Sequence, residues 1–316
     1  LSKKTIATKL SKISSYFILD SFPYHRRKIF IFFVVIFCVN LSYSQNSIIS
    51  FSSGASSSIT NLNWSIAGNE YGQSPNILSE LKYKNIISIG GFIMTSISPL
   101  KRLHINTFYS QEKTVGGKGR DSDYGKDNCQ DVVYNEPFNS NKGSSHLLEI
   151  GAAYNMITLK RMEIDVGLSY YTKGQHFYIL NSDLQGLKST YNTKMNGGQI
   201  SLRNNIHVAN NFDLQVLVGY GRLKYNSTAN WNLIEVFAHP VSFKDGANGE
   251  SMQSRISCEY HWNNKLSIFF ATMFAHYNVF KGKDISYLKD GSSVLTQFNG
   301  ANMNSGGFNL GVQYSL

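Results

Sequence analysis

The sequence predicts an all-β fold: a ten-stranded antiparallel barrel that crosses an outer membrane. Three observations point there. A leader directs the chain out of the cytoplasm, side chains alternate with period two through most of the chain beyond the leader, and the joints between alternating runs are short and long by turns.

The leader comes first. His25 to Lys28 reads HRRK, followed by the apolar run IFIFFVVIFCVNL (Ile29 to Leu41) and by SYSQ, with small residues at Ser42 and Ser44. A positive segment, a short apolar segment and small residues before a cleavage point make a secretory signal peptide. A membrane-spanning helix needs about 20 apolar residues, and this run ends at Asn40 and two serines. Lipidation at Cys38 fails because Phe37 stands where a small residue is required. The expected organisation is an upstream extension over 1–24, a signal peptide over 25–44 and a barrel domain over 45–316.

The leader also carries most of the charge imbalance. The whole chain has 30 Lys and Arg against 20 Asp and Glu, a net charge of +10. Seven of the basic residues and one acid precede residue 45, so the remainder holds 23 basic and 19 acidic side chains, a net of +4. The basic excess is therefore no argument for nucleic-acid binding, and no nucleic acid is expected as a partner.

From residue 45 onward the alternation defines the strands. FNLGVQYSL places Phe308, Leu310, Val312, Tyr314 and Leu316 on one face and Asn309, Gly311, Gln313 and Ser315 on the other. MEIDVGLSY sets Met162, Ile164, Val166, Leu168 and Tyr170 against Glu163, Asp165, Gly167 and Ser169; FDLQVLVGY, Phe212 to Tyr220, repeats the pattern. A soluble sandwich would turn the apolar face inward, and a membrane barrel turns it outward. Tyr and Phe at the strand ends suit interfacial girdles, and the final Tyr314-Ser315-Leu316 is an aromatic-x-apolar terminus. Ten strands are expected, over 47–57, 79–97, 102–115, 145–156, 162–178, 193–208, 211–226, 250–261, 265–280 and 304–316. The joints SPLK, MITLK, ANN and WNNK are short and the others long and polar, as in a barrel with both termini in the periplasm. Gly151, Gly167, Gly219 and Gly311 fall on the inward faces, where they relieve packing.

One long joint contains GRDSDYGKDN, Gly119 to Asn128, with Asp121 and Asp123 one residue apart. In a Gly/Asn-rich run this is first of all an exposed turn; carboxylates held close can also share a proton or polarise a water. Cys129 comes directly after it, and Cys258 lies in RISCEYHW; they could pair in an oxidising compartment. His104, His146, His207, His261 and His276 have no short metal-ligand spacing, and no G-x-S-x-G, Walker A or H-E-x-x-H motif occurs. No metal and no cofactor are expected.

The chain resembles the omptins, outer-membrane barrel endopeptidases, and more closely the omptin-like proteins grouped around the Protochlamydia outer membrane protein. The resemblance lies in SPNILSELKYKNI (Ser74 to Ile86) at the start of the second strand, in NGANMNSGGFNLGVQYSL at the end, and in GRDSDYGKDN where omptins carry Asp-x-Asp. It implies a site at the extracellular rim, with Asp121 and Asp123 as the catalytic half if the protein is active. The other half, an Asp-x-His that activates water, falls on Ala229 and Trp231, neither of which can take a proton. His239, in FAHPVSF, has Phe237 two residues before it and is expected to be a loop residue.

The resemblance and these departures set the expected function. It is an omptin-like barrel without peptidase activity, whose extracellular loops serve surface binding or adhesion, with Trp231 as a flat binding surface. The alternative is an omptin-type endopeptidase cleaving at basic residues through Asp121 and Asp123. A diffusion pore is disfavoured, because side chains such as Glu163, Asp165, Arg203 and Arg255 can fill a ten-stranded lumen. Expected partners are outer-membrane lipid, with lipopolysaccharide, and an extracellular peptide or protein.

Overall fold

The computed structural model describes residues 49–181 and 184–316. The upstream extension and the signal peptide lie outside the described residues.

The described chain is twelve antiparallel strands. They are β1 (Ile49–Ile66), β2 (Ser79–Leu100), β3 (Leu103–Lys126), β4 (Gln130–Asn139), β5 (Gly143–Leu159) and β6 (Met162–Ile179), then β7 (Ser189–Ala209), β8 (Phe212–Asn230), β9 (Phe243–His261), β10 (Leu266–Val279), β11 (Gly282–Tyr287) and β12 (Ser293–Ser315). Ten of them succeed one another around a ring, β1-β2-β3-β5-β6-β7-β8-β9-β10-β12, and β12 pairs back to β1 from Ser50 opposite Ser315 to Ile66 opposite Phe298. Closure leaves this ring no free sheet edge, as a strand structure in lipid requires. The other two strands are additions at one end: β4 pairs with β3, and β11 bridges β9 and β12.

Within the apolar band alternation orients the strands as expected. Val166, Leu168 and Tyr170 of β6 are exposed while Asp165 and Gly167 are buried; Phe308, Leu310, Val312 and Tyr314 of β12 are exposed while Asn309 and Gly311 are buried. The outward apolar side chains form a band from the short-turn end up to Tyr170 on β6, Tyr220 on β8 and Phe274 on β10, with Tyr154, Tyr260 and Tyr314 along its lower margin. A band edged with aromatic side chains is what an outer-membrane barrel presents to lipid.

The strands are longer than the alternation indicates. From Tyr220 to the end of β8 at Asn230 is roughly 33 Å of chain at about 3.3 Å per residue. The barrel wall thus rises well above its apolar band at the long-hairpin end. Several segments expected to be loops are strands there, GRDSDYGKDN among them. Its first eight residues belong to β3, and only Asp127, Asn128 and Cys129 form a turn. Cys129 and Cys258 are both free.

Inside the wall the polarity reverses with height. Level with the band, the lumen holds a cavity of about 320 Å³ whose lining includes Glu112, Glu149, Lys173, Gln199, Arg203 and Arg255. Asp165 anchors its lower side, accepting hydrogen bonds from Asn155 Nδ2 (2.9 Å) and Asn205 Nδ2 (3.2 Å), with Arg203 3.9 Å away. Above it the lumen is packed with buried Trp64, Tyr83, Phe177, Tyr191, Phe243 and Phe298.

Candidate functional site: an acidic rim beside an aromatic core

Asp121 and Asp123 face inward because of a local irregularity. Lower in β3 the even-numbered side chains are buried: Phe108, Ser110, Glu112 and Thr114. Gly117 then adopts φ +152°, and a Cβ there would stand 2.4 Å from Ile86 Cδ1 and 2.7 Å from the Ser140 carbonyl oxygen. Across the ladder, Asn85 of β2 has φ +53°, its N–H held by Asn61 Oδ1 at 2.8 Å. The register slips here on both strands, and a one-residue slip exchanges the faces of a strand. Beyond it the odd-numbered residues turn inward, Leu81 and Tyr83 on β2 and Gly119, Asp121 and Asp123 on β3.

The β3–β4 hairpin completes an acidic face. Asp121 stands opposite Leu81 on one side and Glu136 on the other; Asp123 stands between Ser79 and Tyr134. Three carboxyl groups and a phenol therefore share one face above the apolar band. Burial raises the Asp121 pKa to about 7, helped by the neighbouring Asp123 and opposed by a hydrogen bond from the Ser122 backbone N–H. Burial also raises Asp123, against a hydrogen bond from the Ser79 hydroxyl. Tyr134 is raised by burial and then by Asp121, Glu136 and Asp123. At neutral pH Asp121 is thus divided between its protonated and ionised forms.

On the opposite wall neither Ala229 nor Trp231 can act as a base. Ala229 is 2% exposed, between Tyr191 and Phe243. Trp231 stands just past the end of β8 and sits edge-on to Phe243 at 4.8 Å. Aromatic rings span the space between the two walls: Tyr83 stacks on Phe177 (4.7 Å) and faces Tyr191 (6.4 Å), and Tyr191 stacks on Trp64 (5.0 Å). The acids and Trp231 are therefore joined by an aromatic layer. His239 lies in the β8–β9 loop, its Nδ1 2.8 Å from Asn230 Oδ1. His207 and His261 lie at the short-turn end, both bonded to Asp213.

A second carboxyl pair sits within the wall. Asp245 of β9 and Asp284 of β11 are register partners, 3% and 0% exposed. Asp245 Oδ2 accepts from Tyr191 Oη (2.9 Å) and from Ser227 Oγ; Asp284 Oδ2 accepts from Thr296 Oγ1 (2.8 Å). Neither Oδ1 has a protein donor, so a proton held between the two carboxyls is what satisfies both. Burial, and then Asp284, drive the Asp245 pKa well above the ordinary carboxylate range; burial raises Asp284 as well. Nothing in the sequence announces this pair, since Asp245 and Asp284 meet only through the β9–β11 ladder. Glu136 is hidden from the sequence in the same way.

Together these features define a class: an outer-membrane β-barrel whose wall extends beyond the membrane, with ionisable groups gathered at the far end. Residues 59–316 match the family described as Pom, Protochlamydia outer membrane protein. The chain belongs to that family, and it is an omptin-like protein of the bacterial outer membrane. No curated protein sequence matches it. Among solved structures it is similar to the outer membrane protease OmpT from Escherichia coli, with a TM-score of 0.65 and 14% identity over 87% of this chain and 98% of that one. OprG from Pseudomonas aeruginosa (TM-score 0.37, 8% identity, 85% and 96% covered) and Ail of Yersinia pestis (TM-score 0.28, 10% identity, 86% and 100% covered) also match.

Proposed function

We propose that this protein is a non-proteolytic omptin-like barrel whose extracellular rim binds a cationic peptide or protein segment. The supporting observation is the wall opposite the acids. The OmpT fold is similar to this one, and OmpT is a protease, but the resemblance to omptins puts their Asp-x-His at Ala229 and Trp231, which supply no base. The gap that a scissile peptide and its attacking water would need is filled by Tyr83, Tyr191 and Phe243. Asp121, Asp123 and Glu136 remain as a negative face suited to a basic ligand. The apolar band is covered by outer-membrane lipid, with lipopolysaccharide in the outer leaflet.

The experiment is direct. The refolded barrel is incubated with dibasic fluorogenic peptides, with and without lipopolysaccharide, beside Asp121→Ala. The expected result is binding without cleavage in the wild type, and weaker binding in the variant. Cleavage that disappears in Asp121→Ala would establish the alternative, an endopeptidase using Asp121 and Asp123, for which the near-neutral pKa of Asp121 is the favouring observation.

A further inference from the structure

We infer that the outer edge of β4 is a docking edge that accepts an extended cationic strand from another protein. This deepens the binding reading above and rests on it for the sign of the ligand's charge. The ring has no free edge, but β4 pairs only with β3. Its other side is unpaired among the described residues until Asn139, whose N–H and C=O both bond Leu180 (2.8 and 2.9 Å). Backbone groups alternate in direction along a strand. Since those of Asn139 leave β3, so do the Pro137 carbonyl and the N–H and carbonyl of Asn135. Pro137 has no N–H to lose on that side, which is why proline is tolerated in an otherwise regular ladder.

The exposed side chains define the guest. Val132, Val133 and Tyr134 are 57%, 72% and 44% exposed, an apolar patch on an edge that projects above the membrane band. Apart from this patch, β4 carries Asp131 and Glu136 and no cation. A second copy of this chain would fit poorly. Antiparallel self-pairing centred between Val133 and Tyr134 sets Asp131 against Glu136 twice, and like charges directly opposed destabilise a strand pair. A strand with Lys or Arg at those places and β-branched residues between them meets opposite charge and apolar side chains, and it gains ladder hydrogen bonds.

The test uses the whole barrel refolded in lipid-containing micelles and three synthetic ten-residue probes: alternating Lys and Val, alternating Glu and Val, and the Lys/Val sequence with two prolines replacing central valines. Fluorescence anisotropy reads binding, and amide hydrogen exchange reads its place. The Lys/Val probe is expected to bind and to slow exchange at Asn135 by tenfold or more, with β12 amides unchanged; the other two probes bind at least tenfold more weakly. Asn135→Pro removes an outward N–H and should weaken binding of the Lys/Val probe at least tenfold. Asp131→Lys with Glu136→Lys leaves the β4 backbone intact and should reverse the preference to the Glu/Val probe. Equal binding of the proline probe, binding without protection at Asn135, or unaltered preference in the double variant would each overturn the inference. Cleavage of the Lys/Val probe would defeat the non-proteolytic reading alone, because the exchange data on β4 stand apart from it.

Discussion

Asp245 and Asp284 face each other across two paired strands, with almost no exposure to water, and the Oδ1 atoms of the two, which have no other protein partner, can share one proton. The groups packed against them are Tyr191 and Tyr225, which are hydrogen-bonded to each other (2.8 Å), with Ser227 and Thr296. None of these brings a positive charge. Both carboxyls therefore have folded-state pKa values raised above those of the unfolded chain. In the folded state they hold protons that the unfolded chain gives up, so their contribution is complete below about pH 4 and is lost as pH rises through the folded values. The attachment of β11 should loosen with alkalinity. Hydrogen exchange at Gly282–Tyr287 is expected to accelerate between pH 6 and pH 9 beyond the intrinsic base-catalysed increase, and Asp245→Asn should remove the excess.

On the face proposed to bind a cationic ligand, burial raises the Asp121 pKa to about 7. Its ionised form is more abundant above about pH 7, so affinity for a cationic peptide should rise several-fold between pH 5.5 and pH 8. Asp121→Asn should flatten this profile. Stability runs the other way: a raised carboxyl pKa makes the fold less stable as pH climbs from about 4 to about 7. The same variant should thus resist urea better than the wild type at pH 8 and equally at pH 4.

Placing Asp and His at positions 229 and 231 should not confer cleavage. Ala229→Asp with Trp231→His would place a carboxylate between Tyr191 and Phe243. An unpaired buried polar group costs about 1–3 kcal/mol and a charge more. The double variant is expected to unfold at lower temperature in a gel-shift assay and to leave dibasic peptides intact. Cleavage by it would show that the aromatic layer yields easily.

The apolar band carries a sharp positional contrast. Val166 points outward and Asp165 inward on adjacent residues of β6. Val166→Arg places a cation in the band, at about 2–4 kcal/mol near the bilayer midplane, and should block heat-modifiable folding into lipid. Asp165→Asn loses one of the two acceptors that Asn155 and Asn205 use but puts no charge in the lipid band, and should fold.

The membrane portion is legible in the sequence because lipid outside and a polar lumen inside impose one rule on every strand. In β6, β8 and β12 that rule is visible as simple alternation. Above the band both surfaces of the wall are mixed, and the rule lapses. Tyr191 and Tyr225 face inward there, while Tyr170 and Tyr220 a few residues below face outward. The upper halves of the strands, with β4 and β11, consequently have the composition of polar loops. Asp121 and Asp123 stand out because they are neighbours in sequence. Glu136, Asp245 and Asp284 do not, because each acquires its partner only through a ladder between strands.

The kink opposite Asn85 gives the rim an unusual dependence on counting. On a regular β3 the same ten letters from Gly119 to Asn128 would turn Arg120 and Ser122 to the interior and send both aspartates out. Gly117 sets the phase of everything beyond it, so the sign of the inner surface is stored in a backbone offset as well as in side chains. A single-residue deletion beside Gly117 would leave the composition of the hairpin almost untouched and exchange its acidic inner surface for a basic one.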